Sequence, residues 1–144
     1  MKSSELLLNK IIEFEGCKLT AYKCPAGVWT IGVGHTKGVK QGQTITEAQA
    51  MSLLKGDLLP CENYVNKLGV CKTQGQFDSL VSFSFNLGTA ALGRSTLLKY
   101  IRQGKAEQYI REEFAKWINS KGMRLKGLVI RRQWEADRFY GKEA

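Results

Sequence analysis

The chain has 144 residues, a length that fits one ordinary domain and buries a core without covalent staples, so its 4 cysteines are not needed as a scaffold. Against 13 Asp and Glu stand 22 Lys and Arg, and the formal charge of +9 attracts polyanions without choosing among nucleic acid, anionic lipid and acidic envelope polymers. No apolar run approaches the ~18 residues of a membrane span, and a single His with no close Cys pairing argues against zinc or any other metal.

Met1–Lys10 carries three consecutive leucines and then a polar break. It lacks the apolar region and small-residue cleavage site of a signal peptide, which predicts a cytosolic start and thiols that are reduced at synthesis. Leu7, Leu8, Ile11, Ile12 and Phe14 fall at helical spacing, so a helix is expected from about Ser4 to Phe14, with Ser3 or Ser4 as N-cap and Gly16 as exit. Glu15 then stands at a helix C-terminus, where the helix dipole disfavours negative charge. It needs a specific partner there, or it keeps its proton. Cys17 reads as a small buried apolar residue.

From Leu19 to His35 the residues favour strands: Tyr22, Val28, Trp29, Thr30, Ile31 and Val33, with Pro25-Ala26-Gly27 as a turn signal. Gly32 and Gly34 alternate with Ile31 and Val33, which suggests backbone lying close to another element or a ligand. Thr46 and Gln49 form a capping box for a helix expected to run to about Leu58 and stop before Pro60. Further helices are expected over Cys61–Leu68, Gln74–Phe85, Ser95–Gln103, Lys105–Lys116 and Val129–Tyr140, while later strand signals are weak. Cys61 and Cys71 would close a short loop able to oxidise after export. The fold class that follows is α+β, with a small N-terminal β-hairpin lobe at about 16–36 and a larger helical lobe, all in one domain over 1–144.

The stretch from Glu15 to His35 fits the pattern E-G-x-x-x-x-x-Y-x-D-x-x-G-x-x-T-I-G-x-G-H at every position but one, where Cys24 replaces Asp. Two later blocks follow in order: Gln74 to Phe83 continuing through Asn86-Leu87-Gly88 to Leu98, and Trp117, Gly122, Gly127-Leu128, Arg131-Arg132 and Glu135. Together they resemble the phage-type lysozymes (endolysins), the family of phage T4 lysozyme and the lambdoid-phage endolysins, over nearly the whole chain. The resemblance implies a lysozyme-like fold and hydrolysis of the β-1,4 bond between N-acetylmuramic acid and N-acetylglucosamine in peptidoglycan, with no cofactor. It puts the catalytic acid at Glu15, the second catalytic position at Cys24, and the threonine that places the attacking water at Thr30. It also implies a monomer without nucleic acid partners or stable membrane insertion, held in a host cytoplasm until a holin releases it to the cell wall.

Read from the residues, Glu15 could instead pair with Arg131 or Arg132 for stability, and Cys24 could be no more than a tolerated turn residue. A carboxylate is ionised at neutral pH unaided, whereas an ordinary thiol, with pKa ~8.5, is mostly neutral, so a working Cys24 needs help from its surroundings, such as Lys18 or Lys23. Base and nucleophile both stay open for it. Two other readings stand beside the hydrolase: a lytic transglycosylase, which also needs one acid, and a weakened wall-binding homologue that has lost a carboxylate. A basic nucleic-acid binder lacks any motif. The family pattern further suggests a structural His35–Asp57 pair. Trp117 and Trp134 read as core residues, and Asn86 as a helix-end residue able to bond a glycan amide.

Overall fold

The computed structural model describes residues 1–143. Its order of elements is helix, hairpin, then helices, as the α+β expectation requires: α1 (Glu5–Glu15), β1 (Lys18–Lys23), β2 (Trp29–Gly32), α2 (Glu47–Leu68), α3 (Gln74–Leu87), α4 (Thr89–Gly93), α5 (Thr96–Gln103), α6 (Glu107–Ala115), β3 (Asn119–Ser120), β4 (Met123–Arg124) and α7 (Lys126–Phe139). Both pairs of strands are antiparallel and two-stranded. No described helix is long and apolar enough to cross a membrane. The chain divides into two compact units, Glu5–Pro60 and Met1–Ser4 with Cys61–Ala144.

In the unit Glu5–Pro60, α1 buries Leu7, Leu8 and Ile11 at helical spacing, and Gly16, at φ 76°, ends the helix by donating its N–H to the Ile12 carbonyl at 2.7 Å. The capping box at the start of α2 is made in both directions: Gln49 N donates to Thr46 Oγ1 at 3.1 Å, and Thr46 N to Gln49 Oε1 at 2.8 Å.

The boundary expected at Pro60 is wrong. Instead of stopping before Pro60, α2 runs through it to Leu68. The reason lies in the apolar stripe. Ala50, Leu54, Leu58, Cys61 and Val65 are all buried at spacings of three and four, so the helical phase is unbroken across the proline. Burial of Leu58 on one side and of Cys61 and Val65 on the other offsets a backbone penalty of about 3 kcal/mol.

In the second unit the first residues are tied down by hydrogen bonds. Ser3 N donates to Glu62, and Ser4 donates through both N and Oγ to Asp78. Helix α3 is the central element, buried continuously from Phe77 to Ser84 and capped by Thr73, whose Oγ1 accepts from Gln76 N at 3.1 Å. Its buried polar groups meet α7: Asp78 pairs with Arg138 at 2.8 Å, and Ser82 donates to Glu135 at 2.6 Å. Trp117 packs edge-on against Phe83, with ring centroids 5.4 Å apart, but is only half-buried, at the margin of the core expected to hold it.

Helix α7 starts at Lys126, earlier than the expected Val129, and the hairpin β3–β4 ahead of it is an element the weak strand signals did not reveal.

Candidate functional site

Glu15, Cys24 and Thr30 lie in the unit Glu5–Pro60, and the loop chemistry there explains their positions. Cys24 opens a three-residue hairpin loop, Pro25-Ala26-Gly27. Gly27 N donates to the Cys24 carbonyl at 2.8 Å, and Cys24 N to the Val28 carbonyl at 3.0 Å. Pro25 supplies the fixed φ of the second turn position and Gly27, at φ 79°, the left-handed residue that closes such a loop. The Cys24 side chain thereby takes the first-position role in which Asp or Asn usually accepts bonds from the turn backbone.

The thiol does the same. Backbone N–H groups of Val28 and then of Ala26 hold its pKa below the ordinary cysteine value. The lysines expected to help are not the cause. Lys23 lies over the Trp29 ring, 5.4 Å from its centroid.

Thr30 is buried on β2, paired in register with Tyr22, and its hydroxyl donates to the Val28 carbonyl at 2.9 Å. Its one proton is thus committed, which leaves the oxygen lone pairs as acceptors. Cys24 and Thr30 are brought together across the hairpin.

The glycine-rich segment after β2 is a tight loop. Ile31 and His35 exchange two backbone hydrogen bonds of 2.9 Å each, and Gly32 and Gly34 take positive φ, 65° and 71°. A Cβ on Gly32 would lie in van der Waals contact with Ile45 and Ala50 at 3.4 and 3.5 Å, so the backbone does run close to another element, as the alternation suggested. On Gly34 the nearest neighbour of an added Cβ would be Glu15 Oε2 at 3.9 Å, so the bare glycine backbone faces the carboxyl group at the end of α1. Glu15 itself is exposed.

All four cysteines are free thiols. Cys17 is exposed, contrary to the buried role expected of it, because it follows the Gly16 exit and precedes a strand, β1, that is itself largely exposed. Burial pushes Cys61 and Cys71 up to about 11 each. Among the described residues no three His, Cys, Asp or Glu side chains cluster as a metal site would require. Asn86, considered for glycan contact, accepts a 2.7 Å hydrogen bond from the buried Arg132, which also lies 2.9 Å from Glu135. The groups missed in the sequence are the Val28 and Ala26 amides around the thiol; the Pro25-x-Gly27 turn signature was the signal for them.

The phage lysozyme family model matches residues 12–135. An endolysin of Acyrthosiphon pisum secondary endosymbiont phage 1 is 40% identical over 96% of this chain and 98% of its own length. The endolysin of Bacillus phage B103 is also 40% identical, and all of this chain spans only 56% of it. Among solved structures, the muramidase domain of SpmX from Asticaccaulis excentricus superposes with a TM-score of 0.87 at 36% identity, covering 96% of this chain and 97% of that one.

Proposed function

The chain belongs to the phage lysozyme family, and on that premise we propose that it hydrolyses the β-1,4 bond between N-acetylmuramic acid and N-acetylglucosamine in peptidoglycan, with Glu15 as general acid and Cys24 as the base that activates water. Glu15 gives its proton to the glycosidic oxygen as the bond to C1 breaks. A water on the other face of the sugar loses one proton to the Cys24 thiolate, directs its other hydrogen to the Thr30 oxygen, and adds to C1. The proton then returns from the thiol to Glu15 through solvent.

The observation that carries this reading is the surroundings of Cys24. Backbone amides favour its thiolate, and Thr30, its proton committed to Val28, offers an acceptor beside it. The reading includes one lysozyme domain over 1–144, acting as a monomer on wall glycan after cytoplasmic residence and release by a holin.

The test is digestion of purified peptidoglycan in labelled water, with mass and anomer analysis of the products. A labelled, inverted reducing end is expected from direct attack by water. An anhydro end would make the protein a lytic transglycosylase, and a retained anomer with a trapped glycosyl thioether would make Cys24 the nucleophile. Glu15→Gln should cost at least about a hundredfold in turnover; a failure to clear wall suspensions even by the parent chain would leave a wall-binding homologue.

A further inference from the structure

From its exposed chemistry we infer that the β3–β4 hairpin and the first two turns of α7 form a docking surface for an anionic phospholipid bilayer. The segment holds three of the large apolar side chains that the fold leaves in water: Met123 at 68% exposure, Leu125 at 42% and Ile130 at 50%. Isolated exposed apolar residues are ordinary, but three within eight positions, interleaved with cations, are a pattern. No acidic residue occurs between Glu113 and Glu135. Of the cations there, Arg131 and Arg132 are buried and Lys116 pairs with Glu113, while Lys121, Arg124 and Lys126 are exposed and have no acidic partner among the described residues.

The backbone sets these groups in an order that suits an interface. Lys121 and Gly122 both have positive φ, 51° and 78°, the two-residue turn in which Asn-Gly is the favoured pair. The tip therefore carries a lysine where a less strained choice exists. Met123 and Leu125, two apart in extended chain, point to one side, and Arg124 to the other. On that other side Arg124 borders a pocket of about 290 Å³ with Ile118, Val129 and two arginines that already have carboxylate partners, Arg111 and Arg132, so among the described residues it is the one unpaired arginine there. Leu125 N donates to the Ile118 carbonyl at 2.9 Å and fixes the base of the hairpin. A linear phosphate polymer or nucleic acid would use the cations and gain nothing from Met123, Leu125 and Ile130. A bilayer surface takes both, with the apolar side chains at the acyl boundary and the cations among the headgroups.

The test is co-sedimentation of the full chain, at about 0.1 M salt, with vesicles of equal parts phosphatidylglycerol and phosphatidylcholine and with vesicles of phosphatidylcholine alone. Binding to the mixed vesicles only is expected. Met123→Ser with Leu125→Ser should weaken it about tenfold, leaving melting temperature and hydrolysis of soluble glycan unchanged. Both side chains are exposed, and serine at position 125 is a favoured cap for α7, so the variant folds. Equal binding to neutral vesicles, undiminished binding by the double variant, or full competition by free glycerol phosphate would each overturn the proposal. The second of these outcomes would point to a phosphate polymer.

Discussion

His35 and Asp57, 22 residues apart, face each other at 2.8 Å through Nδ1 and Oδ2, while Nε2 of the same ring lies 2.9 Å from the Lys37 carbonyl. Both ring nitrogens are thereby engaged. Neither nitrogen is left for chemistry; the pair ties the loop after β2 to α2. Asp57→Asn replaces a charge-assisted bond with a neutral one and should cost about 1–2 kcal/mol, a fall of roughly 2–8 °C in melting temperature. Turnover on glycan should stay within about twofold. A large loss of turnover in a protein that still melts normally would give His35 a catalytic part.

What could be read in the sequence was whatever a few neighbouring residues decide between themselves. The Thr46–Gln49 box, the Pro25-x-Gly27 turn and the exit at Gly16 are local bargains of backbone geometry, and each forms as expected. Pro60 misleads for the opposite reason: its local preference is to end a helix, and burial of side chains on both sides of it prevails. The β3–β4 hairpin has strands of two residues each, too short for any alternation to show. At the candidate site, the spacing of Glu15, Cys24 and Thr30 was visible, but the groups that favour the thiolate are main-chain amides, to which only the Pro25-x-Gly27 turn signature pointed.

Glu135 is wholly buried, with Arg132 Nε at 2.9 Å and the Ser82 hydroxyl at 2.6 Å. Burial pushes its carboxyl pKa up, against the pull of Arg132, and pushes the Arg132 guanidinium down. Glu135→Ala strands the Arg132 charge in the core and should cost about 3–5 kcal/mol, read by thermal or urea unfolding. Replacing Arg132 and Glu135 together with Met and Leu should recover most of that loss. A single variant as stable as the parent would mean that Arg132 does not depend on this partner.

Two glycines on helices should respond oppositely to alanine. A Cβ on Gly75 would overlap the backbone carbonyl of Arg138, which cannot swing aside, so Gly75→Ala must push α3 and α7 apart at about 1–3 kcal/mol. Nothing lies within 4 Å of a Cβ on Gly56, inside α2, and its φ is not positive. Gly56→Ala should therefore add about 0.5–1 kcal/mol. Equal melting temperatures for the two variants would contradict this.

Cys24 provides a pH test of the proposed chemistry. Its thiol ionises below the ordinary cysteine value, because the Val28 and Ala26 amides bond the thiolate, whereas burial holds Cys61 and Cys71 at about 11. At neutral pH iodoacetamide should therefore modify Cys24 well before Cys61 or Cys71. In a chain whose other cysteines are alanine, the modification rate should rise with pH to a midpoint below that of an ordinary cysteine. Blocking Cys24 should abolish turnover. If the thiolate is the base, its protonation sets the acid limb of the activity profile. Cys24→Asp substitutes a group that ionises near ~3.9, so the acid limb should move to lower pH. An acid limb that does not move, together with turnover that survives alkylation, would reduce Cys24 to a turn residue and leave Glu15, Thr30 and water to do the hydrolysis.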